Sequence, residues 1–457
     1  MSLTGLVFAA AFFGAMGLAL FRHAMWGLYA YVAVFYLHPP SRWWGHELPD
    51  LRWALLAAGV TLIATWRLPQ DTTRPSWFSH APAKLLLAYT LWLWIQSAWA
   101  LSPSDQTEIS ILFTKYVVLF YLIYRLVDTP QKVTTFLTTH VLGCAYLGWL
   151  AYNARFQGRL EGVGGPGIDE ANALAMQMST GVAVAAMLML GAKGWVRWAC
   201  FAAMPFMLNT MVLAGSRGAF VALLGTGLAL WYMKPVRHRR VFYAYAVLGA
   251  VLFGLLANQM FLTRVGTIAA VAEKDAEVDR SAESRVVLFK AQLQMAKRYP
   301  FGTGHRGTAV LSTKYLDPIY LSSKRVDGRL VYGQRSSHNT FMSALVEQGL
   351  IGAFLFLSMW WWVLRSLMRL KRTYASDKEQ TDRQVQIAVI AAAVGGALAA
   401  VFVAGQFVDY LKAEVTVWCT ILLACLLSFK TGDSTSKVAA SVPGASVPGG
   451  VGALRSR

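Results

Sequence analysis

The chain has 457 residues, of which 56% are hydrophobic and only 14% charged, with a mean hydropathy of +0.45. That composition excludes a set of ordinary soluble domains and predicts an all-α polytopic membrane protein. The formal net charge of +19 is spread over loops without any nucleic-acid motif, and Lys and Arg gather in cytoplasmic loops and near anionic headgroups, so membrane lipids are expected partners and nucleic acid is not.

Apolar runs suited to a hydrocarbon core of about 30 Å recur along the chain. They lie near 4–21, 24–38, 53–66, 84–101, 111–127, 136–152, 171–191, 196–213, 217–233, 241–262, 339–364, 385–408 and 411–429. The first has no basic leader and no small-residue cleavage site, which reads as a retained span. Only Arg22 and His23 separate the first two runs and the third is short, so 24–38 or 53–66 can enter the membrane without crossing it. The expectation is 12 or 13 transmembrane helices. Residues 1–262 hold the first ten hydrophobic segments, 263–338 form a large polar loop, 339–430 hold the C-terminal spans, and 431–457 read as a disordered cytoplasmic tail. All four cysteines fall in predicted spans, leaving no disulfide or zinc framework.

Three connections are densely basic: Lys193 with Arg197, KPVRHRR at 234–240 and RSLMRLKR at 365–372. The positive-inside tendency places these in the cytoplasm. Alternation then puts 102–110, 153–170, 214–216, 263–338 and the Asp409/Tyr410 turn on the opposite, non-cytoplasmic side.

The loop 263–338 is too long for a simple turn. Within it, SAESRVVLFKAQLQMAKRY at 281–299 sets Val286, Phe289, Leu293 and Ala296 at helical spacing, predicting an amphipathic helix on the membrane domain or headgroups. YPFGTGHRG follows and breaks it, and the remainder is irregular or holds short strands. Gly302, Gly304 and Gly307 spell GxGxxG, but the motif follows a helix and opens no βαβ unit, so it reads as a turn and not as a dinucleotide site. There is no Asp-x-Asp motif, no metal-ligand spacing and no GxSxG, so no cofactor and no metal are expected.

His338, in RSSHNTF, stands where the loop meets a span on the non-cytoplasmic face, and imidazole is suited to take a proton near neutral pH. Taken alone, His338 with Asn339 and Thr340 also reads as a helix cap. Arg217, in LAGSRGAF, lies at the junction of two spans on the same face, with Arg159 and Arg285 on that face too. A guanidinium keeps its charge and binds phosphate oxygens in pairs, so a convergence of these arginines predicts a diphosphate site. Each singly also reads as an interfacial contact.

GRLEG and DEANALA before one helix, GSRGAF opening another, a loop with R-x-x-x-F and YPFGTG, and SSHNTF with EQGLIG at its end resemble the O-antigen ligase family. The resemblance spans roughly 85–430 and extends to the superfamily's O-antigen polymerases and protein O-oligosaccharyltransferases. It implies transfer of a polysaccharide from undecaprenyl diphosphate to a sugar hydroxyl of lipid A-core, at the periplasmic face of the bacterial inner membrane, without metal or nucleotide. Carried onto this chain, the family's loop histidine falls on His338 as the catalytic base. Its diphosphate-binding arginines fall on Arg217 and Arg285, with Arg159 and the supporting Asn172 and Asn339 beside them. From another class, a lipid or solute transporter also needs many spans, but such proteins show repeats and broken midplane helices, whereas the polar residues here concentrate in one loop.

Overall fold

The computed structural model describes residues 2–69, 74–154, 160–257, 280–321, 323–326, 329–375 and 380–429. Arg159, the first part of the polar loop and the tail from 430 lie outside the described residues.

The first half of the chain forms α1 (Leu3–Phe21), α2 (Met25–Leu37), α3 (Trp53–Trp66), α4 (Ala81–Gln96), α5 (Pro103–Leu126), α6 (Pro130–Asn153), α7 (Ala171–Gly191), α8 (Trp195–Ala214), α9 (Arg217–Met233) and α10 (Arg239–Leu256). The polar loop contributes α11 (Arg280–Arg298), α12 (Gly307–Tyr315) and a hairpin of β1 (Ser323–Val326) and β2 (Arg329–Tyr332), paired antiparallel with Ser323 opposite Tyr332. Then come α13 (Thr340–Glu347), α14 (Gly349–Tyr374), α15 (Asp382–Ala404) and α16 (Glu414–Ser428).

Among the described residues, eight helices are long and apolar enough to cross a membrane: α1, α5, α6, α7, α8, α10 counted from Val236, α14 and α15. The chain is a multi-pass membrane protein. The segments expected near 24–38, 53–66, 84–101, 217–233 and 411–429 form helices of 13, 14, 16, 17 and 15 residues. At 1.5 Å per residue these are shorter than a full hydrocarbon crossing.

The centre of the bundle is α7 against α15, both almost wholly buried and flanked by α8 and α9. Their sequences, ANALAMQMSTGVAVAAMLMLG and DRQVQIAVIAAAVGGALAAVFVA, are dominated by Ala, Gly and Val. Small side chains let backbones approach closely, and inside a bilayer such packing, more than hydrophobicity, drives helix association.

The segment expected as one span from 339 to 364 is two helices. Gly349 adopts φ +67° and ends α13 before α14 begins. A helix end leaves carbonyls without partners, and a buried one must find donors elsewhere. Here the YPFGTG turn supplies them: Thr303 N–H donates to Val346 O (3.1 Å) and Gly304 N–H to Glu347 O (2.9 Å), while Leu350 N–H returns a bond to Pro300 O (2.8 Å). From α4, Gln96 Nε2 donates to Phe301 O and Glu347 O, and Trp92 Nε1 donates to Gln348 O at 2.7 Å. The glycines of the GxGxxG string thus cap a broken helix.

Gly302 adopts φ +85°, and a Cβ there would stand 2.5 Å from Glu347 O and 2.6 Å from Gly349 N, backbone atoms with no room to move. Gly302→Ala and Gly349→Ala should therefore each destabilise the fold by about 2 kcal/mol or more, from left-handed strain plus overlap. A clear drop in the detergent-solubilised melting temperature checks this; melting at the wild-type temperature would contradict it.

Candidate functional site

The apolar side of α11 that packs inward is Leu288, Ala291 and Met295, against Leu311 of α12 and Val346 of α13. The stripe expected to be its apolar face differs: Val286, Phe289 and Leu293 are exposed. The helix thus has two apolar faces, one gripping the loop and one turned outward. Arg285 lies beside this outward stripe.

Three guanidinium groups gather here. The Arg285 side chain is held below its ordinary pKa first by loss of solvent and then by the charges of Arg217 and Arg335, and Arg335 reaches Ser284, the residue before it. Among the described residues, no carboxylate forms an ion pair with Arg285 or Arg335. Arg335 is itself pinned: its N–H donates to Ser312 Oγ (2.9 Å), Nη1 to Tyr320 O (2.7 Å) and Nη2 to Ser284 Oγ (3.0 Å).

His338 is exposed and sits in a bend between two anchored neighbours. Ser337 is buried; its hydroxyl accepts from Gln292 Nε2 (2.9 Å) and donates to Asn339 O (3.0 Å). Asn339 Oδ1 caps α13 by accepting from Phe341 N (2.9 Å) and Met342 N (3.1 Å). The capping role therefore belongs to Asn339, and His338 is left at the surface.

A turn at 405–411 ties the parts together. Gly405 O accepts from Thr340 N (2.7 Å), Gln406 O from Asn339 Nδ2 (3.2 Å) and Val408 O from Thr340 Oγ1 (2.9 Å). Tyr410 N–H donates to Thr340 Oγ1 at 2.8 Å, and its hydroxyl to the carbonyl of Asn172 at 2.8 Å. Phe407 packs so closely on Gly218 that a Cβ there would lie 2.9 Å from it. Gly218 follows Arg217 at the start of α9, where Ser216 Oγ accepts from Ala219 N–H. One turn therefore sets Arg217, Asn172, Asn339 and the approach to His338 against each other.

The sequence reading missed Asp409, Glu347 and His305 behind this site. Asp409 accepts from Ser343 Oγ (2.7 Å) and Leu411 N (3.0 Å). Glu347, buried, meets His305 Nδ1 at 3.1 Å and accepts from Arg306 N–H at 3.0 Å. The only signal for Asp409 was an acid in a short turn on the loop side of the bundle.

Two apolar hollows share Phe356, Trp360, Leu411 and Thr416. The larger runs along α4, α5, α14 and α16; the smaller reaches Thr340 and Tyr410. Apolar lining thus extends from α4 and α5 to Thr340, two residues along the chain from His338.

Residues 202–357 match the family described as O-antigen ligase. About a third of the chain is thus similar to that family. The match runs from within α8 into α14 and so contains Arg217, Arg285, His338 and Asn339, while Arg159 and Asn172 precede it. The chain is also 26% identical over 321 residues to the exopolysaccharide production protein ExoQ of Rhizobium meliloti (strain 1021), covering 66% of this chain and 68% of that one. The O-antigen ligase match and this relative together support a polysaccharide-processing membrane enzyme.

Burial, and next the charge of Glu347, push the Asp409 carboxyl up to about 6, against the pull of Leu411 N–H and Ser343. A folded-state pKa above the unfolded value gives stability that is complete below the ordinary carboxylate value of about 4 and is lost as pH rises through about 6. Wild-type thermal stability should therefore fall between about pH 4 and pH 6 by an increment that Asp409→Asn does not show. Identical pH profiles for the two proteins would contradict this.

Proposed function

We propose that this protein moves a polysaccharide from undecaprenyl diphosphate to a sugar hydroxyl of lipid A-core at the periplasmic face of the inner membrane. The observation that carries the reading is the pairing of Arg285 with Arg217 beside the segment that presents His338; the Arg335 fork is already engaged by Tyr320 O and Ser284 Oγ and is not counted among the ligands of the donor. A diphosphate is the anion that paired guanidinium donors fit. The apolar lining that reaches Thr340 and Tyr410 suits the polyprenyl chain.

In the proposed reaction His338 takes the proton of the acceptor hydroxyl while that oxygen attacks the anomeric carbon. The bond from the anomeric carbon to the phosphate oxygen breaks, and undecaprenyl diphosphate leaves with the electron pair. Arg217 and Arg285, with Arg159 from the same face, stabilise the charge that develops on it. One displacement inverts the anomeric carbon, in keeping with the absence of a carboxylate pair assigned a nucleophilic role. Asn339 and Asn172 support the base and the turn behind it. Holding two lipid-anchored substrates at one membrane face supplies the proximity.

A second reading is favoured by the relative named for exopolysaccharide production. In it the acceptor is another lipid-linked glycan, as in a polymerase, and the site chemistry is the same.

Purified protein, undecaprenyl-diphosphate-linked polysaccharide and lipid A-core, with chelator present, test both readings by gel shift. Wild type should transfer to lipid A-core, and His338→Ala should lower the rate about 10²–10⁴-fold. Full activity in His338→Ala would remove its role as base. Elongation of the lipid-linked glycan without transfer to lipid A-core would replace the ligase reading by the polymerase one.

A further inference from the structure

The two halves of the proposed site belong to different pieces of chain. Arg285 rides on α11, and His338 rides on the extended segment that leads into α13. Two side-chain hydrogen bonds join them. Arg335 Nη2 donates to Ser284 Oγ at 3.0 Å, next to Arg285, and Gln292 Nε2 donates to Ser337 Oγ at 2.9 Å, next to His338.

We propose that Arg335 and Gln292 are positioning residues that clamp the helix carrying Arg285 to the segment carrying His338. The inference rests on the diphosphate-and-base reading above and adds to it what sets the distance between the two groups.

The spacing makes it a clamp and not a hinge. Ser284 and Gln292 are eight residues apart on α11, about 12 Å along its axis, while Arg335 and Ser337 are only two residues apart. The long arginine side chain spans the difference. Two separated points fix both the slide and the swing of the helix against the segment; either point alone would leave a pivot.

Direction is also built in. Gln292 and Ser337 are buried, so the amide bond is shielded from water and its loss leaves polar groups unsatisfied. The Ser337 hydroxyl then donates to Asn339 O, folding the chain around His338. Arg335 holds Tyr320 O and Ser312 Oγ besides Ser284, and its buried Nε has no partner. The side chain is kept there although its charge disfavours that of Arg285 nearby, which is costly for a group that only fills space. The apolar contacts of Leu288, Ala291 and Met295 already hold α11 in place, and the polar pair adds register.

The test uses the full-length protein as wild type, Arg335→Lys, Gln292→Leu, Ser337→Ala and the Gln292→Leu/Ser337→Ala double variant. Arg335→Lys keeps the charge and loses the fork. Three quantities are measured: amide hydrogen exchange across 333–340, affinity for undecaprenyl diphosphate, and kcat for transfer. The clamp predicts that each single variant speeds exchange about tenfold or more. It predicts affinity within about threefold of wild type and kcat lowered about tenfold or more. It predicts that the double variant is no worse than either single one. Unchanged exchange overturns the clamp, and so does a parallel loss of affinity and kcat, which would make Arg335 and Gln292 ligands of the donor. If wild type transfers nothing to any acceptor, the proposed function fails and the exchange data alone decide the clamp.

Discussion

Arg285 stands on a short helix with two other guanidinium groups for neighbours and no carboxylate paired to it among the described residues. Mutual repulsion would disperse such a group if its members were carried on free chain. The surrounding architecture can be read as the means of keeping them together: α9 fixes Arg217, Ser312 and Tyr320 fix Arg335, and α11 is wedged by Leu288, Ala291 and Met295. A concentration of positive charge maintained against its own field is a stored preference for an anion.

The same economy governs the backbone. Breaking one apolar run into α13 and α14 frees carbonyls in a setting where water is scarce, and those carbonyls become sockets for the YPFGTG turn and for Gln96 and Trp92 of α4. The break thereby couples the polar loop, the α4 wall and the start of α14. Thr340, at the other end of α13, exchanges hydrogen bonds with Gly405, Val408 and Tyr410. An eight-residue helix held at both ends by other parts of the chain is a rigid pedestal for Asn339, which precedes it, and so for His338 one residue further back.

Much of this was legible in the sequence. Hydropathy alone gives a polytopic helical protein, and the residue types at Arg217, Arg285, His338 and Asn339 point to one face because spans and basic loops alternate. What composition and period could not give were distances across the fold. The run from Phe341 to Leu364 reads as one helix because its residues are apolar; the break depends on a left-handed glycine meeting a turn forty residues upstream. The apolar stripe of Val286, Phe289 and Leu293 was legible, but the second apolar face of α11, Leu288, Ala291 and Met295, has the same period and only packing reveals it. Glu347 and His305 carry no local pattern and meet only through tertiary contact, and Asp409 showed only as an acid in a short turn.

The central claim is that the arginine cluster is a diphosphate site, and lipid binding tests it most directly. Purified wild type and Arg285→Gln are titrated with undecaprenyl diphosphate and with undecaprenyl monophosphate at several salt concentrations. Wild type should prefer the diphosphate by about tenfold or more, with a preference that weakens as salt rises, and Arg285→Gln should bind the two lipids alike. Equal affinity of wild type for both lipids, or a preference untouched in Arg285→Gln, would contradict the account.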